Sequence, residues 1–256
     1  MMRVLLTALA VLTCWSAAAI ADEAEDAKRY TACMDRARAA PAEGLALAEA
    51  WIKEGETVAG RHCRAVALIG LGREEQAVEA LDALGADIEQ QQPDLAADLY
   101  HQAGMVEFDA GRFDAASALL DRALKLSPDS VELLIDRALV FGARKDYSSA
   151  LDRLEHARTV APTRADVLVL IGSAQRQLGH GKRAEESIEA ALALDPQNVA
   201  ALLERGILRR LAGNNEGARS DWERIRQLAP NSPEAATAAA NLKLLDQQGA
   251  AGAPAQ

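Results

Sequence analysis

Two of the three cysteines, Cys33 and Cys63, and four histidines, His62, His101, His156 and His180, are the residues through which this chain could do chemistry. Cys63 follows His62, which suggests a soft-metal site. The chain has no C-x-x-C, no C-x-x-C-H and no second histidine near His62, so no tetrahedral ligand set assembles from the sequence. Gly179-His180-Gly181-Lys182 is a fragment of a phosphate-cradling loop, but no strand pattern precedes it. There is no G-x-S-x-G and no H-E-x-x-H, and the other histidines stand in helical patterns without a recurring acidic or nucleophilic partner. Acid runs such as Glu185-Glu186 are solvated helix faces. Nothing unites a nucleophile, its base and an oxyanion donor. The expectation is a protein that is not an enzyme and uses no metal, cofactor or small-molecule substrate.

The elements that carry these residues follow a strict period. Pro128, Pro162, Pro196 and Pro230 recur every 34 residues. In phase with them run Ala116, Ala150, Ala184 and Ala218, then Gly104, Ala138, Gly172 and Gly206, then Ala123, Ala157 and Ala191, broken by Ile225. Coincident ladders of this kind mark an internal repeat. Small residues recur where two helices must cross closely. The large residues Tyr100, Leu134, Leu168 and Leu202, with Leu120, Leu154, Ile188 and Trp222, fill the space they leave. Each proline follows a second helix, which it cannot continue. Ser130, Asn198 and Ser232 then cap the next helix. Turns inside the pairs fall at Gly111, Lys145-Asp146, Gly179 to Gly181 and Gly213 to Asn215.

Period and residue types together resemble the tetratricopeptide repeat over residues 97–232, as four units: 97–130, 131–164, 165–198 and 199–232. The eleventh residue of each unit departs from the tyrosine frequent in the family, being Glu107, Phe141, Gln175 and Arg209. The resemblance implies an all-α fold, a right-handed superhelical solenoid of antiparallel helix pairs with a concave groove. Stacking buries apolar faces that a single pair leaves open. Residues 233–248 are expected to form a capping helix, and 249–256 a disordered tail. Residues 22–96 read as degenerate helical repeats. Within them a unit aligns at 58–91, and Leu45, Ala46, Ala50 and Trp51 share one face of a helix from Pro41. Gln90-Gln91-Gln92-Pro93 reads as a lengthened connection and a flexure point.

The N-terminus has another composition. Arg3 precedes Val4 to Ile20, which carries no charge, and Ala19-Ile20-Ala21 stands before Asp22, Glu23 and Glu25. A basic start, an apolar stretch and an A-x-A site read as a signal peptide over residues 1–21, removed before Asp22. The alternatives are a retained anchor or lipidation at Cys14, whose preceding residue, Thr13, departs from the lipobox. Of 28 Lys and Arg and 38 Asp and Glu, one arginine lies in the leader, so the mature chain carries 27 basic and 38 acidic residues, a net −11. That balance argues against non-specific binding to nucleic acid or anionic lipid. Arginine dominates lysine and alanine is plentiful, which fits a bacterial source, so export points to the periplasm. In an oxidising compartment, two cysteines invite a disulfide. In the solenoid that the resemblance implies, Cys33 and Cys63 lie on adjacent, parallel first helices, and two buried free thiols are the alternative.

Function then falls to the groove. In the family, residues 2, 5, 6, 9, 12 and 13 of each unit face it. The resemblance places there His101, Met105 and Phe108 from the first unit, Ile135 and Leu139 from the second, Val169 and Arg176 from the third, and Leu203, Ile207 and Arg210 from the fourth. This implies an apolar strip rimmed by Arg176 and Arg210, suited to an apolar or amphipathic segment with some negative charge. Packing of some of these side chains between neighbouring helices is the alternative. The family's carboxylate clamp for chaperone tails needs Lys and Asn where this chain has His101, Met105, Asp136, Asp166 and Leu170. Two functions are expected: an adaptor that binds a peptide or amphipathic helix of a cell-envelope protein, or a chaperone-like scaffold in envelope assembly.

Overall fold

The computed structural model describes residues 25–55 and 57–251, all helices and their connections, with no strand among them. The expected leader, Cys14, the Asp22 cleavage point and residues 252–256 lie outside the described residues. The chain divides into two compact units, one ending at Leu126 and one beginning at Ser127. The first carries α1 (25–39), α2 (Pro41–Glu54), α3 (Val58–Gly70), α4 (Glu74–Ile88), α5 (Pro93–Asp109) and α6 (Phe113–Leu126). The second carries α7 (Val131–Ala143), α8 (Tyr147–Val160), α9 (Ala165–Gln177), α10 (Gly181–Leu194), α11 (Val199–Leu211), α12 (Asn215–Leu228) and α13 (Pro233–Ala251). The division falls inside the first regular repeat, 97–130, whose two helices belong to the first unit.

The ladders have a direct steric meaning. A Cβ added to Gly104 would stand 3.0 Å from Leu120 Cγ, one on Gly172 2.7 Å from Ile188 Cδ1, and one on Gly206 2.3 Å from Trp222 Nε1. Residue 8 of each unit thus faces residue 24 of the same unit, small against large, at the crossing of the pair. Trp222 fills its crossing completely and its indole N–H is buried without a hydrogen-bond partner. Ile225, the break in the alanine ladder, is fully buried in the same cluster as Leu202, Ala238 and Leu242. The caps fall as expected: Ser130, Asn198 and Ser232 accept from the amides of Leu133, Ala201 and Ala235. Thr57, Asp146 and Asn214 cap α3, α8 and α12 in the same way.

Three local expectations are corrected. Gln90 to Pro93 is not a lengthened connection. Pro93 opens α5, which gains an extra turn at its start, and only residues 89–92 join it to α4. A proline at the first helical position gives up no intrahelical hydrogen bond. The joint is held as well: Tyr100 is buried and donates to the Glu89 carboxylate at 2.7 Å, and burial followed by this bond pushes its phenol up to about 12. On α2 the buried face is Gly44, Ala48 and Trp51, while Ala46 and Ala50 are exposed. The reason is close contact with α1, since a Cβ on Gly44 would sit 2.4 Å from Ala37 Cα. Finally, α13 runs to Ala251, past the point where the expected tail begins.

The turns inside the pairs end in left-handed residues: Gly72, Gly111, Gly179 and Gly213, and at the corresponding place Lys145, with φ of 62°. The amide of Asp146 bonds back to Phe141 O, as Arg112 does to Glu107 O and His180 to Gln175 O. The closure is the same, but Lys145 carries a Cβ in a conformation that disfavours one. Lys145→Gly should raise stability by about 0.5–1 kcal/mol, because removing the left-handed strain outweighs the extra freedom of glycine in the unfolded chain. Denaturant unfolding checks this, and a loss of stability would show that the Lys145 side chain holds the turn.

Candidate functional site

The residues expected to form one strip fall in both units. In unit 1, His101, Met105 and Phe108 lie half-buried along one side of α5, and the Phe108 ring tilts against Phe113 at 5.7 Å. Beside them a chain of hydrogen bonds joins three first helices. Tyr30 OH meets His62 Nδ1 at 2.7 Å, and His62 Nε2 meets Gln102 Oε1 at 2.9 Å. His62 is therefore held between an α1 phenol and an α5 amide rather than poised for a metal. Among the described residues, no group of three or more His, Cys, Asp or Glu side chains could hold a metal ion. Cys33 on α1 and Cys63 on α3 are paired, with Cα atoms 6.1 Å apart, inside an apolar cluster that includes Ala37, Ala48 and Trp51.

In unit 2 the candidate residues sit on the first helices α7, α9 and α11. Ile135, Leu139 and Gly142 share one face of α7 by their spacing of four and three. Ile135 is half-buried, and Leu139 is 37 % exposed, which makes it the most open of the expected anchors. Val169 is 6 % exposed and belongs to the core of the unit, so its expected place in the groove is corrected. Leu203 and Ile207 are half-buried and pack against that same core. A charge at Leu203 would therefore disturb packing, contrary to the reading of it as a free anchor. At residue 5, Ile135 of α7 is half-buried while Val169 of α9 lies in the core, a difference that a shared spacing does not reveal.

The two arginines do not form a free rim. Arg176 donates from Nε to Glu204 Oε2 at 2.7 Å and from Nη2 to Oε1 at 3.1 Å, a two-point contact from α9 to α11. Both side chains are largely covered, at 17 % and 14 % exposure. Ser173 donates to the same carboxylate at 3.2 Å. Arg210 donates to Gln248 of α13 at 3.4 Å. Arg164, just ahead of α9, bridges Glu132 at 2.6 Å and Asp166 at 2.5 Å. Its hydrogen bonds are the largest cause holding both carboxyls below their ordinary pKa. Asp136 is not free either. Glu204, Ser173 and Gly142 are thus site residues that the strip of anchors omitted. For Glu204 the signal was available, since it stands at a groove position, residue 6 of the unit that follows Arg176.

Behind this face lies a charged knot. Asp221 of α12 is 3 % exposed and accepts from Arg205 Nη2 at 2.8 Å, Arg205 Nε at 3.1 Å and Arg209 Nη1 at 2.8 Å. Glu189 lies 3.3 Å from Arg205. The bond to Asp221 is the main reason that the Arg205 guanidinium is raised above its ordinary pKa. Arg209 occupies the eleventh position of its unit, and Gln175, at the same place one repeat earlier, is buried and accepts from Ser187 at 2.9 Å. At Gln175 and Arg209 the departure is therefore a polar link between the two helices of a pair.

Two family profiles, both described as tetratricopeptide repeat, match residues 95–163 and 169–233, together more than half of the chain. The chain is similar to the CTR9 homolog of Arabidopsis thaliana, with 32 % identity over 129 residues. That match covers 50 % of this chain and 12 % of the relative, so this chain spans a small part of the relative's length. Among solved structures it is similar to pilF of Pseudomonas aeruginosa, with a TM-score of 0.63, 15 % identity, and coverage of 85 % of this chain and 99 % of that one. It is also similar to YrrB, described as a TPR protein with an unusual peptide-binding site. There the TM-score is 0.56 at 19 % identity, over 75 % of this chain and 96 % of that one. At these identities the likeness is one of fold, a solenoid of helix pairs.

Proposed function

This chain belongs to the tetratricopeptide repeat family, and from that premise we propose that it is an exported, non-enzymatic adaptor of the bacterial periplasm that binds a peptide or amphipathic helix of an envelope protein. Proteins of this repeat bind protein or peptide partners on their helix faces, and YrrB carries a peptide-binding site by its own description. The observation that carries the reading is the open apolar face of α7. Leu139 is 37 % exposed, beside half-buried Ile135. An apolar face of this kind fits helix-in-groove recognition. The apolar leader and the acids after Ala21 support export, and an oxidised Cys33–Cys63 pair would suit the same compartment. No helix of the described residues is long and apolar enough to cross a membrane.

Leu139→Asp tests the site. An anchor of this size contributes about 1.5–3 kcal/mol when buried, so retention of the partner should fall about ten-fold or more. Helicity should be unchanged, because Leu139 is open in the free protein. The measurement is capture of envelope proteins by the wild type and the variant side by side, with circular dichroism on both. Unaltered capture of every wild-type partner would move the binding site elsewhere. Intact mass of the protein recovered from a periplasmic fraction tests export, and a species that retains residues 1–21 or carries lipid at Cys14 would refute cleavage before Asp22.

A further inference from the structure

A crevice of about 590 Å³ opens in unit 2 where α8 ends, α9 begins and α10 ends, a volume within the range of small-molecule sites. Leu168 of α9, a member of the core, lines it from below, and Pro162 lies in the connection beside it. Ala190, Ala193 and Leu194 share one face of α10 by their spacing of three and four, and all three are exposed along the opening. The crevice is built mainly on the second helices α8 and α10, whereas the adaptor face is built on first helices.

The space has a cause in the sequence. Ala190 and Ala193 are the twenty-sixth and twenty-ninth residues of their unit. The other units carry Arg122 and Lys125, His156 and Thr159, and Arg224 and Gln227 at these places. Two short side chains where longer polar ones stand elsewhere leave the junction unfilled.

Arg158 is the charged residue of the lining. It stands in the last turn of α8 and donates from Nε to Glu155 at 2.7 Å. That pair is open to solvent, and among the described residues neither terminal nitrogen of Arg158 meets an acceptor. A guanidinium can hold a carboxylate through two parallel N–H bonds, and an exposed pair such as that with Glu155 costs little to rearrange. The Thr159 hydroxyl already donates to His156 O at 2.7 Å. An apolar crevice with one cation on its rim selects an apolar body that ends in one negative charge. The acidic balance of the chain disfavours a polyanion there.

We infer that this crevice binds a small amphiphile, an aliphatic chain with a carboxylate head. The head lies on the terminal nitrogens of Arg158, and the chain lies over Leu168, Ala190 and Ala193. The inference goes beyond the adaptor reading and stands independently of it.

The test titrates the full chain with octanoate, octanol and octyltrimethylammonium and follows the amide chemical shifts of α8 to α10. Octanoate should bind about ten-fold more tightly than octanol, equivalent to about 1.4 kcal/mol, and the cation more weakly than octanol. Arg158→Gln should bring octanoate to the level of octanol and leave octanol unchanged. Ala190→Leu/Ala193→Leu should keep the helicity and melting temperature of the wild type and weaken octanoate ten-fold or more. Leu139→Asp should leave octanoate binding as it is, which separates this site from the adaptor face. Equal binding of octanoate and octanol, or octanoate binding that the alanine variant leaves unaltered, would mean adventitious adhesion to apolar surface and overturns the inference. It is equally overturned if octanoate shifts none of these amides while a peptide with a free C-terminal leucine does, since the crevice then takes a chain terminus. Neither failure touches the adaptor reading, which rests on capture through Leu139.

Discussion

Asp221→Ala is expected to destabilise unit 2 by about 3–5 kcal/mol, the range for removing one partner of a buried ion pair. The carboxylate is 3 % exposed and satisfies donors from both Arg205 and Arg209. Its removal leaves two largely covered guanidinium groups, 21 % and 30 % exposed, with Glu189 at 3.3 Å from Arg205 as the remaining acid. Asp221→Asn should recover part of the loss, since the amide oxygen still accepts but the charge is gone. A variant in which Asp221, Arg205 and Arg209 are all replaced by apolar residues of similar volume should lie close to the wild type, because the buried charges are then removed together. Chemical denaturation of the three variants reads these differences. A loss of less than about 1 kcal/mol for Asp221→Ala would mean that water reaches the arginines in solution, as it does at exposed pairs.

The second large effect is expected in unit 1. Cleaving the Cys33–Cys63 pair should cost about 3–4 kcal/mol, the chain-entropy value for a loop whose ends are 30 residues apart. The bond joins α1 to α3 inside the cluster of Ala37, Ala48 and Trp51. Its loss should free α1 and α2 before the pair α5–α6 is affected. Thermal unfolding with and without reductant, beside a Cys33→Ser/Cys63→Ser variant, measures the effect. Hydrogen exchange localises it. Identical transitions under both conditions, or peptide mapping that finds both thiols free in protein isolated without reductant, would refute the structural role.

What the sequence reveals here follows from how local each feature is. The proline, glycine and alanine ladders are imposed by contacts within one helix pair, such as Gly172 against Ile188. They repeat because the pair repeats, so spacing alone exposes them. The caps at Ser130, Asn198 and Ser232 are equally local, each reaching an amide three residues on. The site is different. Whether residue 5 of a first helix meets solvent or core depends on what the neighbouring pairs place over it. Val169 is buried while Ile135, at the same register position, is not. Charge pairing is less local still. Arg176 reaches Glu204 and Arg205 reaches Asp221 across different helices, through rotamers that no period encodes. Gln90 to Pro93 misled for another reason: polar residues followed by proline suit a loop and a helix start equally well.

Among the described residues, the two buried indoles, Trp51 and Trp222, give each unit its own optical signature. Trp222 is completely enclosed and its N–H meets no acceptor, so its surroundings relax little around the excited ring and its emission belongs at short wavelength. Trp51 shares a cluster with the paired sulfurs of Cys33 and Cys63, and the guanidinium of Arg29 lies 4.7 Å from its ring centre. A disulfide in the same cluster accepts electron density from an excited indole and dims it. In protein lacking residues 1–21, and with them Trp15, brightness then follows the redox state of unit 1, while colour follows the packing of unit 2, and one emission spectrum carries both.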